Sequence, residues 1–261
     1  MLKRQLRRKK IVMQKVIDAH IHFGRFYDRY YKPDWVIELL KQFGVNYFAI
    51  SSTTTCSENY PKVKQEFESI RHESGLLPVM WITPYSLEGN IAWLLESDIK
   101  WKMLKIHPFL NKIEWRPNGS LFAEVLDIAR ELSLPLLIHT GHDECCRADL
   151  YEEAIKRNPD ITFVLAHGRP IDSALDIAHR YDNAYVDTAF MPIDHIKRFV
   201  DSALSEKVLW GTDLCIPNYF DPDLDLCEYY NSRLDEVRSF CSDIQYEQIT
   251  HENAQKLLNL E

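Results

Sequence analysis

Two segments, Pro135-Leu-Leu-Ile-His-Thr140 and Ile161-Thr-Phe-Val-Leu-Ala-His167, decide how this chain is read. Each is a nearly unbroken apolar run ending in a histidine, whereas a strand with one wet face would alternate apolar and polar residues. Continuous runs of this length mark strands covered on both faces, as in a parallel sheet flanked by helices. Between them, Ala148 to Arg157 carries apolar residues at helical spacing, which completes a strand-helix-strand unit.

The same alternation extends in both directions. Strands are expected at Val16 to His22, Val45 to Ser51, Leu77 to Thr83, Lys102 to His107, Pro135 to Thr140, Ile161 to His167, Ala184 to Ala189 and Lys207 to Asp213. Helices are expected at Pro33 to Phe43, Pro61 to Glu73, Leu87 to Ser97, Ser120 to Leu132, Ala148 to Arg157, Ile171 to Tyr181, Ile193 to Leu204, and in a last block from Leu224 to Leu260. Pro33 suits the first turn of its helix and Gly44 suits the position after the end. Eight such units in 261 residues predict an α/β fold of the TIM-type (β/α)₈ barrel class in a single domain, residues 16–261. An open doubly wound sheet is the rival, but no Gly-x-Gly-x-x-Gly turn follows any strand. Asn218 to Asp225, with one proline and three aspartates, reads as a loop over the barrel mouth.

Composition excludes several classes. A net charge of −8 offers no basic field for nucleic acid or an anionic membrane. The one basic cluster, Lys3 to Lys10 within residues 1–15, reads as a flexible, solvated extension, because neither the apolar segment nor the cleavage site of a secretory signal follows it. No run is long enough to span a bilayer. Six cysteines without CxxC spacing read as free thiols, and a cytoplasmic location is expected. The expected partner is a small molecule; a homo-oligomer is compatible with the sequence.

In a barrel, reacting groups sit at the C-terminal strand ends. Those ends carry His20 and His22, Lys105 and His107, His139, His167, Asp187 and Asp213. Random filling of two end positions per strand would place fewer than one histidine there, and five are present. His20 and His22, two residues apart, face the same side of a strand and can meet one ion. With His139 and Asp213 they make three nitrogens and one carboxylate oxygen, a donor set suited to Zn²⁺ or a similar divalent metal, with room for a water. Asp213 is the expected general base, and His167 a hydrogen-bond donor to a developing oxyanion or a second acid/base. Asp18 either orients a ligand or anchors backbone amides. Lys105 either meets an anionic substrate or pairs with a carboxylate; if carbamylated, it would bridge two ions, so the expected count is one, or two in that case. Arg25, Trp115, Arg116 and Arg169 are the expected substrate-binding residues, the arginines by pairing with a carboxylate. Phe23, Phe26, Tyr27, Tyr30 and Tyr31 form an aromatic-rich first loop, read as pocket wall or packing.

Taken together, Val16-Ile-Asp-Ala-His-Ile-His22, Leu104-Lys-Ile-His-Pro108, Leu137-Ile-His-Thr-Gly141, Leu165-Ala-His-Gly168, Tyr185-Val-Asp-Thr188, Leu209-Trp-Gly-Thr-Asp213 and Glu252-Asn-Ala-Gln-Lys-Leu-Leu258 resemble the amidohydrolase superfamily. The likeness is greatest to its amidohydrolase-related branch, which includes the aminocarboxymuconate semialdehyde decarboxylase. The resemblance implies first-strand ligands at His20 and His22, a fifth-strand ligand at His139, a catalytic histidine at His167 and the eighth-strand aspartate at Asp213. It implies a metal-dependent hydrolase acting on an amide, lactone or similar bond, with non-oxidative decarboxylation as the alternative from the same ligands. TatD-like phosphoesterase or nuclease chemistry would require two metals and a basic entrance, which the overall acidity opposes.

Overall fold

The apolar runs become strands because each inward side chain meets its counterparts across the barrel while each outward one meets a helix. The computed structural model describes residues 15–87, 95, 98–110 and 115–260. The basic segment 1–15, apart from Lys15, and the helix expected from Leu87 to Ser97, apart from Leu87 and Leu95, lie outside those residues.

The chain forms a single-domain α/β barrel. The strands are β1 Ile17–Phe26, β2 Arg29–Tyr31, β3 Tyr47–Ser52, β4 Leu76–Trp81, β5 Met103–Ile106, β6 Leu136–His139, β7 Phe163–Ala166, β8 Ala184–Asp187 and β9 Val208–Leu209. They make one sheet in the order β2-β1-β3-β4-β5-β6-β7-β8-β9, parallel throughout except for the β1–β2 pair. Closure comes from a parallel bridge between Ile21 and Leu214, supported by Ala19 N to Trp210 O at 2.8 Å and Asp213 N to His20 O at 2.8 Å.

Two cores result. Ile17, Ala19, Leu77, Val79, Met103, Leu137, Val164 and Leu209 fill the lower barrel, and Ala254 and Leu258 of the C-terminal segment pack against them. The larger core lies between sheet and helices. Ser120–Leu132 shows how: it buries Phe122, Val125, Leu126, Ile128 and Ala129, one stripe at a period near 3.6. Among the described residues no helix is long and apolar enough to cross a membrane, and all six cysteines are free.

Four features differ from the expectation. The aromatic first loop is a hairpin: β1 runs on to Phe26, and Arg25 pairs with Tyr30 around a turn at Tyr27, which has φ +51°. Gly24 permits it, because a Cβ there would lie 2.6 Å from Thr54 Oγ1 and the backbone has φ +95°. The last strand, expected from Lys207 to Asp213, pairs only at Val208–Leu209. Lys207 ends a 3₁₀ turn, Trp210 N donates to Ile249 O at 2.8 Å and Gly211 N to Thr188 Oγ1 at 2.9 Å, so the next amides leave the ladder. The C-terminal block divides into Leu226–Phe240, Asp243–Glu247, a π-turn Gln248–Glu252 and Asn253–Leu257, with a capping box at Ser242 and Gln245 starting the second piece. A short helix, Ile216–Phe220, takes in the first three residues of the expected mouth loop.

Candidate metal centre

Inward positions change character from the bottom of the barrel to the top. Met103 is followed two residues on by Lys105 and then His107, Leu137 by His139, Val79 by Trp81. The pleat carries the same side of each strand from apolar filling to ionisable groups. Between Asp18 and Ile21, β1 gains one residue against β3, a bulge of the kind that re-aims side chains beside active sites.

His20, His22, Lys105, His107, His167, Asp187 and Asp213 are all buried. Among the described residues, His20, His22 and Asp213 form one group whose ligand atoms all lie within 4.8 Å of one another, and His20, His167 and Asp187 form another. His22 Nε2 is 2.9 Å from Asp213 Oδ1, and His20 Nε2 is 3.7 Å away. Asp213 Oδ1 is buried and makes no aligned hydrogen bond despite these neighbours. A buried carboxylate oxygen aimed at two imidazole nitrogens without a hydrogen bond fits a metal ligand. His139 stands beside these groups rather than within them, its Nδ1 3.0 Å from His167 Nε2.

Neighbouring groups set the imidazole tautomers. His20 Nδ1 lies 2.8 Å from Asp187 Oδ2, so that nitrogen carries the proton and Nε2 keeps its lone pair toward the centre. His22 Nδ1 lies 2.9 Å from Ser51 Oγ, which leaves its Nε2 facing the same point. His167 Nδ1 donates to Ala189 O at 2.8 Å, so its Nε2 accepts from His139 Nδ1. Burial pushes His22 down to about 3 and His167 to about 4, and holds His107 and His139 well below the ordinary histidine range. All four are neutral near pH 7, the form that binds a metal. Burial alone would raise Asp213, but the His20 and His22 imidazoles beside it keep its carboxyl well below the usual range. His167 and Asp213 both have left-handed backbones, φ +68° and +58°. That is costly for residues other than glycine, and it concentrates at functional sites.

The orienting carboxylate is Asp187, which also accepts the amides of His167 and Ala189 at 3.0 Å each. Asp18 is the anchor: it accepts from His20 N, Thr212 N and Thr212 Oγ1. Burial pushes its carboxyl up to about 7. The folded value lies above the unfolded one, so this group's contribution to stability is full below pH 3.8 and is lost as pH rises through about 7. A shift of that size is worth up to about 4 kcal/mol. Asp18→Asn is expected to flatten the fall in stability across that interval, as read from urea-unfolding midpoints; an unchanged slope would count against it.

Lys105 Nζ lies 2.7 Å from His20 Nε2, 3.0 Å from His22 Nε2 and 4.6 Å from the Trp81 ring centroid. Burial, outweighing the attraction of Asp213 and Asp187, pulls its ammonium down to about 8. Above these groups opens a cavity of about 570 Å³ with aromatic walls from Phe26, Tyr27, Phe109, Phe190 and Phe220. Arg169 lines it, tied to Phe190 O at 2.6 Å. Of the other expected substrate residues, Arg25 borders an adjoining hollow that shares Phe26, Tyr27 and Phe109 with the cavity. Arg116 is exposed and lines neither, while Trp115 is 1% exposed within the larger core. Cys215 is likewise packed in that core. Trp115→Ala is expected to cost about 3–5 kcal/mol in unfolding free energy while leaving metal content unchanged; a metal loss without destabilisation would return Trp115 to the site.

Asp187, Ser51, His107 and Trp81 were given no role by sequence reasoning. Asp187 and His107 did carry a signal, in Tyr185-Val-Asp-Thr188 and Leu104-Lys-Ile-His-Pro108 at strand ends, whereas Ser51 and Trp81 carried none. His107 stacks on His139 with ring centroids 3.7 Å apart and on Trp81 at 5.6 Å.

The amidohydrolase family model matches residues 95–260, well over half of the chain and including His139, His167 and Asp213. The chain belongs to the amidohydrolase family. It is thus an enzyme of the amidohydrolase superfamily, and the His20 and His22 pair lies ahead of the matched stretch. No curated protein sequence matches the chain. Among solved structures, a probable 2-pyrone-4,6-dicarboxylic acid hydrolase of Acinetobacter baumannii with bound citric acid aligns with a TM-score of 0.68 at 11% identity, over 94% of this chain and 99% of its own. An amidohydrolase of Burkholderia multivorans with bound zinc aligns at 0.69 and 14%, over 94% and 99%. The 5-carboxyvanillate decarboxylase of Sphingomonas paucimobilis aligns at 0.62 and 12%, over 95% and 100%. At such identities the likeness is one of fold.

Proposed function

We propose that this protein is a metal-dependent hydrolase that cleaves an amide, lactone or similar bond of a small carboxylated molecule. The observation that carries the reading is the convergence of His20, His22 and Asp213, with Asp213 Oδ1 buried and lacking a hydrogen bond. These residues, with His139 alongside, would hold one divalent ion. Zinc is the ion proposed, from the nitrogen and oxygen donors and from the zinc bound in the Burkholderia relative. Such an ion supplies Lewis acidity and an activated water.

The chain's own groups supply the rest. Asp213, ionised at neutral pH, takes the proton of the attacking water and passes it to the leaving atom. Asp187 holds His20 in the tautomer that points Nε2 at the centre. Phe190, Phe220 and Phe109 exclude water from the wall above the reacting bond, and the Arg169 guanidinium faces a substrate carboxylate. The citrate bound by the Acinetobacter relative supports an anionic ligand.

Decarboxylation would use the same ligands, as the Sphingomonas relative's activity suggests. Turnover of candidate lactones and carboxylated aromatics in ¹⁸O-labelled water separates the two. One labelled oxygen in the product is expected; CO₂ release without label would replace hydrolysis with decarboxylation.

A further inference from the structure

Lys105 is a buried cation beside the proposed metal ligands that the proposed chemistry leaves unused. Its Nζ approaches His20 Nε2 at 2.7 Å and His22 Nε2 at 3.0 Å. These are the two nitrogens turned to the centre: Asp187 holds the His20 proton on Nδ1, and His22 Nδ1 faces the Ser51 carbonyl at 3.4 Å and the Ser51 hydroxyl at 2.9 Å. A neutral imidazole has one lone pair, and a lone pair accepting from an ammonium is not free to bind an ion. An ion bound to both nitrogens would sit about 2.0–2.1 Å from each along those lone pairs. It would therefore fall within contact distance of Nζ as now placed. Two positive charges that close, in a buried site, repel strongly.

We propose that Lys105 is an internal competitor for the metal: its ammonium fills the point shared by His20 and His22, an ion enters only by displacing it, and the side chain thereby lowers metal affinity. This rests on the metal-dependent reading above. The face of Trp81, 4.6 Å from Nζ, gives the displaced ammonium a partner inside the cavity. The sign of the effect is opposite to that of a carbamylated lysine, which would be a negatively charged ligand and would strengthen binding.

The test is metal binding itself. Metal-stripped wild type and Lys105→Met, a substitution that removes the charge and roughly keeps the volume, are titrated with Co²⁺ followed by absorption, and with Zn²⁺ in competition with a chromophoric chelator. Lys105→Met is expected to bind at least about tenfold more tightly, at one ion per chain. Lys105→Gln serves as a second variant if the methionine chain fails to fold. Equal or weaker binding in the variants, or loss of one of two ions, overturns the proposal. His22→Ala tells the two failures apart: wild-type binding in His22→Ala sinks the metal reading and this inference with it, whereas loss of the ion there without a gain in either Lys105 variant sinks the competitor role alone.

Discussion

Asp213→Asn is expected to lower kcat on the order of 10³-fold, within the span associated with removing a general base, while the protein folds and melts close to wild type. The amide has almost the volume of the carboxylate, and asparagine tolerates the φ +58° backbone better than most residues, so the local turn survives. What disappears is the negative charge that faces His22 Nε2 at 2.9 Å and His20 Nε2 at 3.7 Å, together with a proton acceptor that is ionised at neutral pH. Steady-state kinetics beside a thermal melt checks this. Turnover within tenfold of wild type would remove Asp213 from the chemistry.

His22→Ala should be the most damaging change to metal content. Loss of a group that merely orients a ligand typically costs 10–100-fold in metal affinity, so loss of a ligand should exceed ~100-fold and abolish turnover with it. The fold should persist, because His22 lines the open cavity and the groups it leaves, the Ser51 hydroxyl, Asp213 Oδ1 and Lys105 Nζ, are polar and can be satisfied by water. Elemental analysis of the purified variant is the measurement. Wild-type occupancy would show that the ion is held elsewhere.

How far the sequence reached depended on whether a signal was local. Ser120–Leu132 and Ile171–Arg180 were legible because their amphipathic stripes are complete within the element. The strand-end histidines were legible because parallel strands expose their C-terminal ends at one mouth, which fixes where reacting groups stand before any distance is known. The β1–β2 hairpin was not, since its turn runs through Tyr27 and Asp28 rather than a glycine pair, and aromatic residues suit a strand and a pocket wall equally. The shortened β9 was hidden because its amides find partners in Ile249 and Thr188, remote in sequence. That Asp187 rather than Asp18 is the orienting carboxylate was not legible, because it depends on the bulge in β1 and on which neighbour reaches His20 Nδ1. Trp115 follows a charged, polar stretch that reads as mouth loop, yet its ring is in the core, where volume rather than sequence context placed it.

The seam where Ile21 meets Leu214 joins the two extremes of the described barrel, and it sets His20 and His22 on one lip and Asp213 on the other. During synthesis the histidines leave the ribosome long before the aspartate exists, and a polypeptide that ends before residue 213 cannot present both halves of the ligand set. A fragment truncated ahead of residue 213 cannot compete with finished molecules for scarce ions through this pocket.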